Sequence, residues 1–213
     1  MKIVIEHVSK KIGLEQVLSD ISLDLSSGTI YGFVGKNGSG KSMLLKTICG
    51  FVTPDEGSVI VGNIDIYRTH TFPRSTAALI ESPNYLPELS GYENLKMLAD
   101  IQKKIGQTEI GDTLRTVNLY EEKDKKFKKY SLGMKQKLAI AQVLMENPDV
   151  MIFDEPFNGL EEESTDKIRK ILLDKKKENK LILIATHNKE DIEKLCDVLF
   201  YMDKGVLKKQ SKK

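Results

Sequence analysis

Residues 35–42 of the chain read Gly35-Lys36-Asn37-Gly38-Ser39-Gly40-Lys41-Ser42. This stretch follows an apolar run, Ile30 to Val34, and precedes a helical pattern whose apolar face carries Leu44, Leu45 and Ile48. The spacing satisfies G-x-x-x-x-G-K-[ST], in which glycines let a loop between a strand and a helix turn its backbone amides toward phosphate oxygens. The sequence therefore predicts an α/β domain that binds the phosphate chain of a nucleotide.

This loop offers phosphates several kinds of ligand. The positive end of the helix that begins near Lys41 adds to the backbone amides. The Lys41 ammonium neutralises the terminal phosphates, and the Ser42 hydroxyl ligates magnesium. We therefore expect nucleotide contacts from Gly35 through Met43, with Mg²⁺ bound alongside.

An apolar run, Val150 to Phe153, leads directly into two carboxylates, Asp154 and Glu155. In a phosphate-loop protein, the first acid orients the magnesium shell and the second orients a nucleophilic water. Many strands end in charged residues, so this pattern is weak by itself. Pro156 then interrupts the pairing of the strand.

The composition sets limits on the class of protein. With 213 residues, 40% hydrophobic and 30% charged, the chain is globular and the size of one large domain. A formal net charge of +2 gives no reason to expect a nucleic-acid partner. Cys49 and Cys196 lie in apolar stretches, which predicts buried thiols in a reducing compartment.

No stretch indicates a signal peptide or a membrane span. The amino-terminal residues reach Glu6 too early for a signal peptide, and runs such as Leu181 to Ala185 have the length of a core strand. We therefore expect any membrane role to come through another subunit.

Three parts of the chain differ in pattern. Residues 1–34 alternate apolar and polar positions, which predicts an antiparallel sheet leading into a core strand. A helical region occupies 82–146, and its first helix begins at the capping box Ser90-Gly91-Tyr92-Glu93. The interpretation is a single domain, 1–213, with an α/β core over 1–81 and 147–213 and a helical insertion between them. The other predicted elements are strands over 59–61, 64–67, 150–153 and 181–185, helices over 110–119, 132–146, 164–177 and 192–195, and a terminal hairpin around 203–205.

Further motifs follow the phosphate loop in a fixed order, and together they resemble those of an ATP-binding-cassette (ABC) domain. They are Tyr130-Ser131-Leu132-Gly133-Met134-Lys135-Gln136, Asp154-Glu155-Pro156, Asn158-Gly159-Leu160 and Ala185-Thr186-His187. They are similar to the signature, Walker B, D-loop and switch-histidine motifs of that family. The resemblance implies a RecA-like P-loop NTPase core, an N-terminal antiparallel β subdomain and an inserted α-helical subdomain.

The resemblance also implies a role for each motif. Ser131 and the amide of Gly133 would close on the γ-phosphate of ATP held by a second copy, although Ser131 could simply cap the helix it precedes. Glu155 would be the general base or the group that positions water. His187 would contact the γ-phosphate, whereas His7 and His70 are expected to be incidental.

Three positions depart from the family pattern. Glu81 replaces the usual glutamine and adds a carboxylate to the magnesium shell of Ser42 and Asp154. Ile12 stands where an aromatic residue usually stacks on adenine. Glu161 replaces the usual D-loop aspartate.

The resemblance implies an ATP-hydrolysing motor subunit of a transporter. The signature most resembles that of bacterial exporters of the bacitracin and lantibiotic-resistance type. Two copies would sandwich two ATP molecules on the inner face of the cell membrane, driving a separate transmembrane permease that docks near Tyr85 and Leu86. The alternatives are that these two residues form an ordinary loop, that the chain is a non-transport ABC ATPase acting on nucleic acid or ribosomes, or that it is a small-molecule kinase.

Overall fold

The computed structural model describes residues 1–81 and 83–212, in which two β-sheets and six α-helices are formed. The strands are β1 (Lys2–Ile12), β2 (Glu15–Ser26), β3 (Thr29–Val34), β4 (Glu56–Val61), β5 (Ile64–Asp65), β6 (Thr76–Leu79), β7 (Val150–Asp154), β8 (Leu181–Thr186), β9 (Val198–Asp203) and β10 (Val206–Lys212). The helices are α1 (Lys41–Ile48), α2 (Gly91–Gln102), α3 (Gln107–Thr116), α4 (Leu132–Leu144), α5 (Glu162–Lys177) and α6 (Lys189–Leu195).

The larger sheet places the functional loops at one edge. Its strand order is β10-β9-β3-β8-β7-β6, and only β10 runs antiparallel to its neighbour. The register pairs Val34 with Thr186 and Asp154 with Ala185. The carboxyl ends of β3, β7 and β8 therefore meet, and in open α/β sheets that edge is where ligands bind.

Side chains alternate between the two faces of this sheet along each strand, and both faces are buried. One face packs on α2 to α5 through residues such as Met151, Phe153 and Ile184. The other face packs on α1 and on the smaller antiparallel sheet, whose order is β2-β1-β4-β5. The near-continuous apolar sequences of β7 and β8 reflect this burial on two sides.

Helices α2, α3 and α4 lie between β6 and β7 in the chain. The predicted capping box is present: Ser90 Oγ accepts from the amide of Glu93 at 3.1 Å, and the Glu93 carboxylate accepts from the amide of Ser90 at 2.7 Å. The residue after the cap must be small, since a Cβ on Gly91 would lie 2.1 Å from the Tyr130 hydroxyl.

Several boundaries differ from the predicted ones for local reasons. The strand predicted over 64–67 ends at Asp65, whose carboxylate accepts from the amides of Tyr67 and Arg68 and so forms a turn. Helix α3 begins at Gln107 because the Glu109 carboxylate accepts from the amide of Gly106. Helix α6 begins at Lys189 because the Asn188 side chain caps it. The remaining boundaries agree within three residues, except that the hairpin predicted around 203–205 extends further, to Lys212.

Cys49 and Cys196 are both buried, as predicted. Across residues 1–81 and 83–212, no helix combines the length and the apolar character that crossing a bilayer requires. Ser82 and Lys213, which begin the expected helical insertion and end the expected domain, lie outside the described residues.

Candidate active site

The glycine-rich loop joins β3 to α1 in a conformation that needs glycine. Gly38 and Gly40 have φ of +78° and +103°, which L side chains rarely adopt. A Cβ on Gly40 would also lie 2.8 Å from the carbonyl oxygen of Val17. The loop therefore runs closely beside β2 and continues directly into the first turn of α1.

Lys41 is buried at the centre of this loop. Its Nζ donates to the carbonyl oxygens of Gly35 and Lys36, at 2.8 and 3.1 Å. Carbonyl groups orient the ammonium but carry no formal charge, so these contacts leave its positive charge uncompensated. A polyphosphate would supply the missing negative charge.

A cleft of about 560 Å³ opens over the loop. It brings together most of the predicted site: Asn37, Gly38, Ser39, Gly40, Lys41, Ser42, Met43, Glu81, Asp154 and Glu155. Gly35 and Lys36 take part through their carbonyl contacts with Lys41. Ser131, Gly133 and His187 are not among the residues that line the cleft.

Ser42 and Asp154 form the pair expected to hold a cation. The Ser42 hydroxyl donates to Asp154 Oδ2. Burial raises the pKa of Asp154, and the negative charges of Glu155 and Glu81 raise it further, against the opposing effects of Ser42 and Lys41. A cation here would offset this crowding of negative charge.

The donor set fits Mg²⁺ bound jointly with phosphates. Within the described ranges, no three His, Cys, Asp or Glu side chains gather as a complete metal cage. Mg²⁺ bound with a nucleotide takes only one or two carboxylates from the protein, and phosphate oxygens and water complete its octahedron. Asp154 and the Ser42 hydroxyl supply that partial set.

Glu155 and His187 meet at the carboxyl ends of β7 and β8. His187 Nδ1 lies 2.6 Å from Glu155 Oε1, and the Glu155 side chain is 22% exposed whereas that of His187 is 60% exposed. Glu155 has φ of +49°, and its amide donates to the carbonyl of Ala185 at 2.8 Å. Strand β7 is therefore followed by a left-handed residue whose backbone is still hydrogen-bonded to β8.

Glu81 lines the same cleft, but its carboxylate contacts a lysine. Its Oε1 accepts from Lys46 Nζ at 2.5 Å, and its side chain is largely exposed. Lys46 lies on α1, one turn beyond Ser42. Glu81 therefore lies near the predicted metal position, with its charge compensated by a cation of the protein itself.

Comparison with known proteins identifies the family of this chain. Residues 18–158 match the ABC transporter family. The chain is 40% identical to YybJ of Bacillus subtilis, an uncharacterised ABC transporter ATP-binding protein, over 97% of this chain and 94% of that protein. The chain belongs to the ABC transporter ATP-binding family. It is therefore an ATP-binding subunit with ATPase activity.

Other relatives of this ABC ATPase have named functions. The bacitracin transport ATP-binding protein BcrA of Enterococcus faecalis is 36% identical over 95% of this chain, which spans 66% of BcrA. The lantibiotic transport ATP-binding protein SrtF of Streptococcus pyogenes is 31% identical, covering 94% of this chain and 86% of SrtF. A solved ATP-binding subunit of an ABC transporter superimposes with a TM-score of 0.89 at 26% identity, covering 100% of this chain and 90% of that one.

In this ABC ATPase, the residues that resemble the signature motif lie beside those that resemble the D-loop. Ser131 is exposed and caps α4, its Oγ accepting from the amide of Met134 at 3.2 Å. Gly133 and Gly159 approach so closely that a Cβ on Gly133 would lie 3.0 Å from the Gly159 carbonyl oxygen. The exposed Leu132 covers Gly159, where a Cβ would lie 2.6 Å from the Leu132 side chain.

Some residues of the cleft are absent from the sequence-based prediction. Gln136 lines the cleft and donates to the carbonyl oxygen of Pro156 at 2.8 Å. Asn158 also lines the cleft. Both residues lie inside motifs quoted from the sequence, and these positions could have indicated that they belong to the site. Glu15 and Val17 line the cleft from β2, whereas Ile12 is half exposed and lies outside the lining.

Proposed function

We propose that this ABC ATPase drives a bacterial exporter of antimicrobial peptides or drug-like compounds. The observation that carries its motor function is the shared cleft of the phosphate loop, Asp154 and Glu155, with His187 in contact with Glu155. The substrate class rests on the names of BcrA and SrtF, which are bacitracin and lantibiotic transport proteins.

In the proposed reaction, water attacks the γ-phosphorus of ATP. The bond between water oxygen and phosphorus forms as the bond from phosphorus to the β–γ bridging oxygen breaks, and Glu155 accepts a proton from the water. Lys41 and the loop amides from Gly35 through Met43 hold the phosphates, and His187 orients Glu155 and approaches the γ-phosphate. ADP and inorganic phosphate leave the cleft.

Mg²⁺ would be held by Ser42 and Asp154, with Glu81 as a third oxygen donor. When bound, the ion neutralises charge that develops on the β- and γ-phosphate oxygens. Asp154 accepts a hydrogen bond from the Ser42 hydroxyl, so the hydroxyl oxygen keeps its lone pairs for a cation. The crowded carboxylates of Asp154, Glu155 and Glu81 favour a cation at this position.

The exposed signature residues support a second copy as partner. Ser131 and Gly133 lie outside the cleft of their own chain, so they are available to the γ-phosphate of ATP in another copy. A cassette from another source, 24% identical with a TM-score of 0.87, is described as dimeric. Each copy would comprise an α/β core, 1–81 and 147–213, and a helical part, 82–146.

A transmembrane permease would dock near Leu86, with the chain on the cytoplasmic face of the membrane. Leu86 is exposed, whereas Tyr85 turns inward and donates from its hydroxyl to Gln142 Oε1 at 2.6 Å. Gln142 lies on α4, the helix that is capped by Ser131 and contains Gly133. A movement of the segment around Tyr85 and Leu86 would therefore displace this helix.

Co-expression tests this proposal. The tagged chain is produced with a candidate polytopic membrane protein, the membranes are solubilised in detergent, and the tag is captured. We expect the two proteins to co-purify and a bacitracin-type or lantibiotic peptide to stimulate ATP hydrolysis. Recovery with ribosomes or nucleic acid, and not with the membrane protein, would instead support the non-transport alternative.

A further inference from the structure

Arg169 lies on α5, and its guanidinium is buried. It is 5% exposed, and its Nη2 and Nε donate to Asp191 Oδ1 at 2.6 and 3.1 Å. Its Nη1 donates to Asp166 and Glu190 at 2.8 and 3.2 Å. The Asp191 side chain is itself only 2% exposed, so the central ion pair is shielded from water.

The same guanidinium contacts the segments that follow both catalytic candidates. Asp191 lies four residues after His187, in the first turn of α6. The guanidinium carbon lies 5.6 Å from the centroid of the Phe157 ring, and Phe157 follows Glu155 by two residues. Arg169 thus contacts both the segment that follows β8 and the segment that follows β7.

A hydroxyl extends this network to Glu155. Thr186 Oγ1 lies 3.4 Å from Glu155 Oε2 and 3.5 Å from Asp191 Oδ2, and it accepts from the amide of Asn188 at 3.1 Å. A hydroxyl has one hydrogen, so it can donate to only one of these two carboxylates at a time. Whichever carboxylate accepts it, the hydroxyl lies between Glu155 and Asp191 and so links Glu155 to the Arg169–Asp191 pair.

Stability alone does not account for this arrangement. Desolvating two charges costs about as much as their attraction returns, and buried ion pairs can often be replaced by apolar residues without loss of stability. Burial raises the pKa of Asp191, and the hydrogen bonds from Arg169 oppose that shift. The pair is therefore better explained by the geometry that it imposes than by the free energy of folding.

We propose that Arg169 is a positioning residue for ATP hydrolysis. Through Asp191 and Phe157 it holds the ends of β8 and β7 at the separation that lets His187 meet Glu155. This inference rests on the proposed roles of Glu155 and His187. It predicts that breaking the network slows turnover without weakening ATP binding, because Arg169 does not line the cleft.

The test uses a double variant that remains well packed. Arg169→Met with Asp191→Leu replaces the buried pair by apolar side chains, while Asp166 and Glu190 are 53% and 50% exposed and stay hydrated. Lys176→Met is the matched control, since it removes an α5 ion pair, with Asp197, that contacts neither Glu155 nor His187. Thermal unfolding confirms that each variant is folded before kcat, KM and the affinity for ATP are measured.

We expect the double variant to lose about ten-fold or more in kcat, since small misplacements of catalytic groups cost that much, with KM and ATP affinity within two-fold of wild type. The ring ¹⁵N signals of His187 should move toward those in Glu155→Gln, with His7 and His70 unchanged as internal references. A folded double variant whose kcat stays within two-fold of wild type would overturn the inference. If Glu155→Gln also retained turnover, the failure would lie in the proposed function itself.

Discussion

His187 Nδ1 lies 2.6 Å from Glu155 Oε1, so two residues assigned separately from the sequence form one hydrogen-bonded pair. An ionised carboxylate only accepts, and Nδ1 therefore carries the hydrogen of this bond. In a neutral imidazole, Nε2 is then an acceptor, and in an imidazolium it becomes a second donor. The pair can thus orient Glu155 toward water, with the other ring nitrogen of His187 placed to meet the phosphate.

Glu155→Gln is expected to separate binding from chemistry. The substitution preserves the shape of the side chain but removes the proton acceptor, so ATP should bind normally while turnover falls about 100-fold or more. If uncleaved ATP holds two copies together, this variant should elute as a dimer in ATP, whereas wild type remains mostly monomeric. Size-exclusion chromatography with and without ATP measures the difference, and a variant that stays monomeric would argue against the proposed sandwich.

Lys41→Ala is expected to abolish turnover and weaken ATP binding while leaving the fold intact. The Lys41 ammonium donates to the carbonyl oxygens of Gly35 and Lys36, so the substitution removes these two hydrogen bonds together with the interaction with phosphate. Calorimetric titration with ATP and a steady-state ATPase assay give the two readouts. Lys177→Ala is the control because that side chain is 75% exposed and lies on α5. Near-normal affinity together with full turnover in Lys41→Ala would contradict the phosphate-loop assignment.

Local sequence signals were sufficient to predict the main elements of the fold. The alternation in β1 and β2, the apolar runs of β7 and β8, and the capping box at Ser90 each follow from near neighbours in the chain. The comparisons with known cassettes confirm the fold class. Boundaries such as the end of β5 depended on a side chain, Asp65, accepting from backbone amides, which hydrophobic periodicity does not register.

The candidate site was predictable as a set of residues but less so as a set of contacts. The strand order brings Glu155 to His187, and that order depends on pairings between residues far apart in sequence. The Lys46–Glu81 and Arg169–Asp191 contacts likewise join separate elements. Lys46 and Arg169 lie outside the motifs quoted from the sequence, so those motifs offered no reason to pair them with Glu81 and Asp191.

Asp154→Asn is expected to stabilise the nucleotide-free protein while abolishing turnover. Burial raises the pKa of Asp154 above its unfolded value, so its ionised form costs the folded state free energy. The gain in stability from Asp154→Asn is therefore present at pH 7 and disappears as the pH falls toward about 3.9, the ordinary pKa of aspartate. A gain of 1 kcal/mol would raise Tm by roughly 2–4 °C in a chain of this size. Calorimetry at pH 7 and pH 4 measures it, and a lower Tm at pH 7 would show that the charge is already compensated.

The contact between Glu81 and Lys46 makes a two-sided prediction about magnesium. Glu81 Oε1 is 2.5 Å from Lys46 Nζ, so the ammonium and a nearby Mg²⁺ would compete for one carboxylate. Lys46→Met should therefore lower the magnesium concentration needed for half-maximal ATPase activity, because it releases Glu81. Glu81→Gln should raise that midpoint, since a neutral amide is a weaker ligand for a hard cation.

The expected size of the magnesium shifts follows from the exposure of the pair. Exposed ion pairs contribute about 0.2–1 kcal/mol, so the midpoint in Lys46→Met should fall by at most about five-fold. Titrations of Mg²⁺ at saturating ATP, for wild type and both variants, give the midpoints and maximal rates. Glu81→Gln should lose less maximal rate than Glu155→Gln, because glutamine can still ligate. Unchanged magnesium midpoints in both variants would place Glu81 outside the metal shell. A Glu81→Gln variant as inactive as Glu155→Gln would show that the carboxylate of Glu81 is itself essential for turnover.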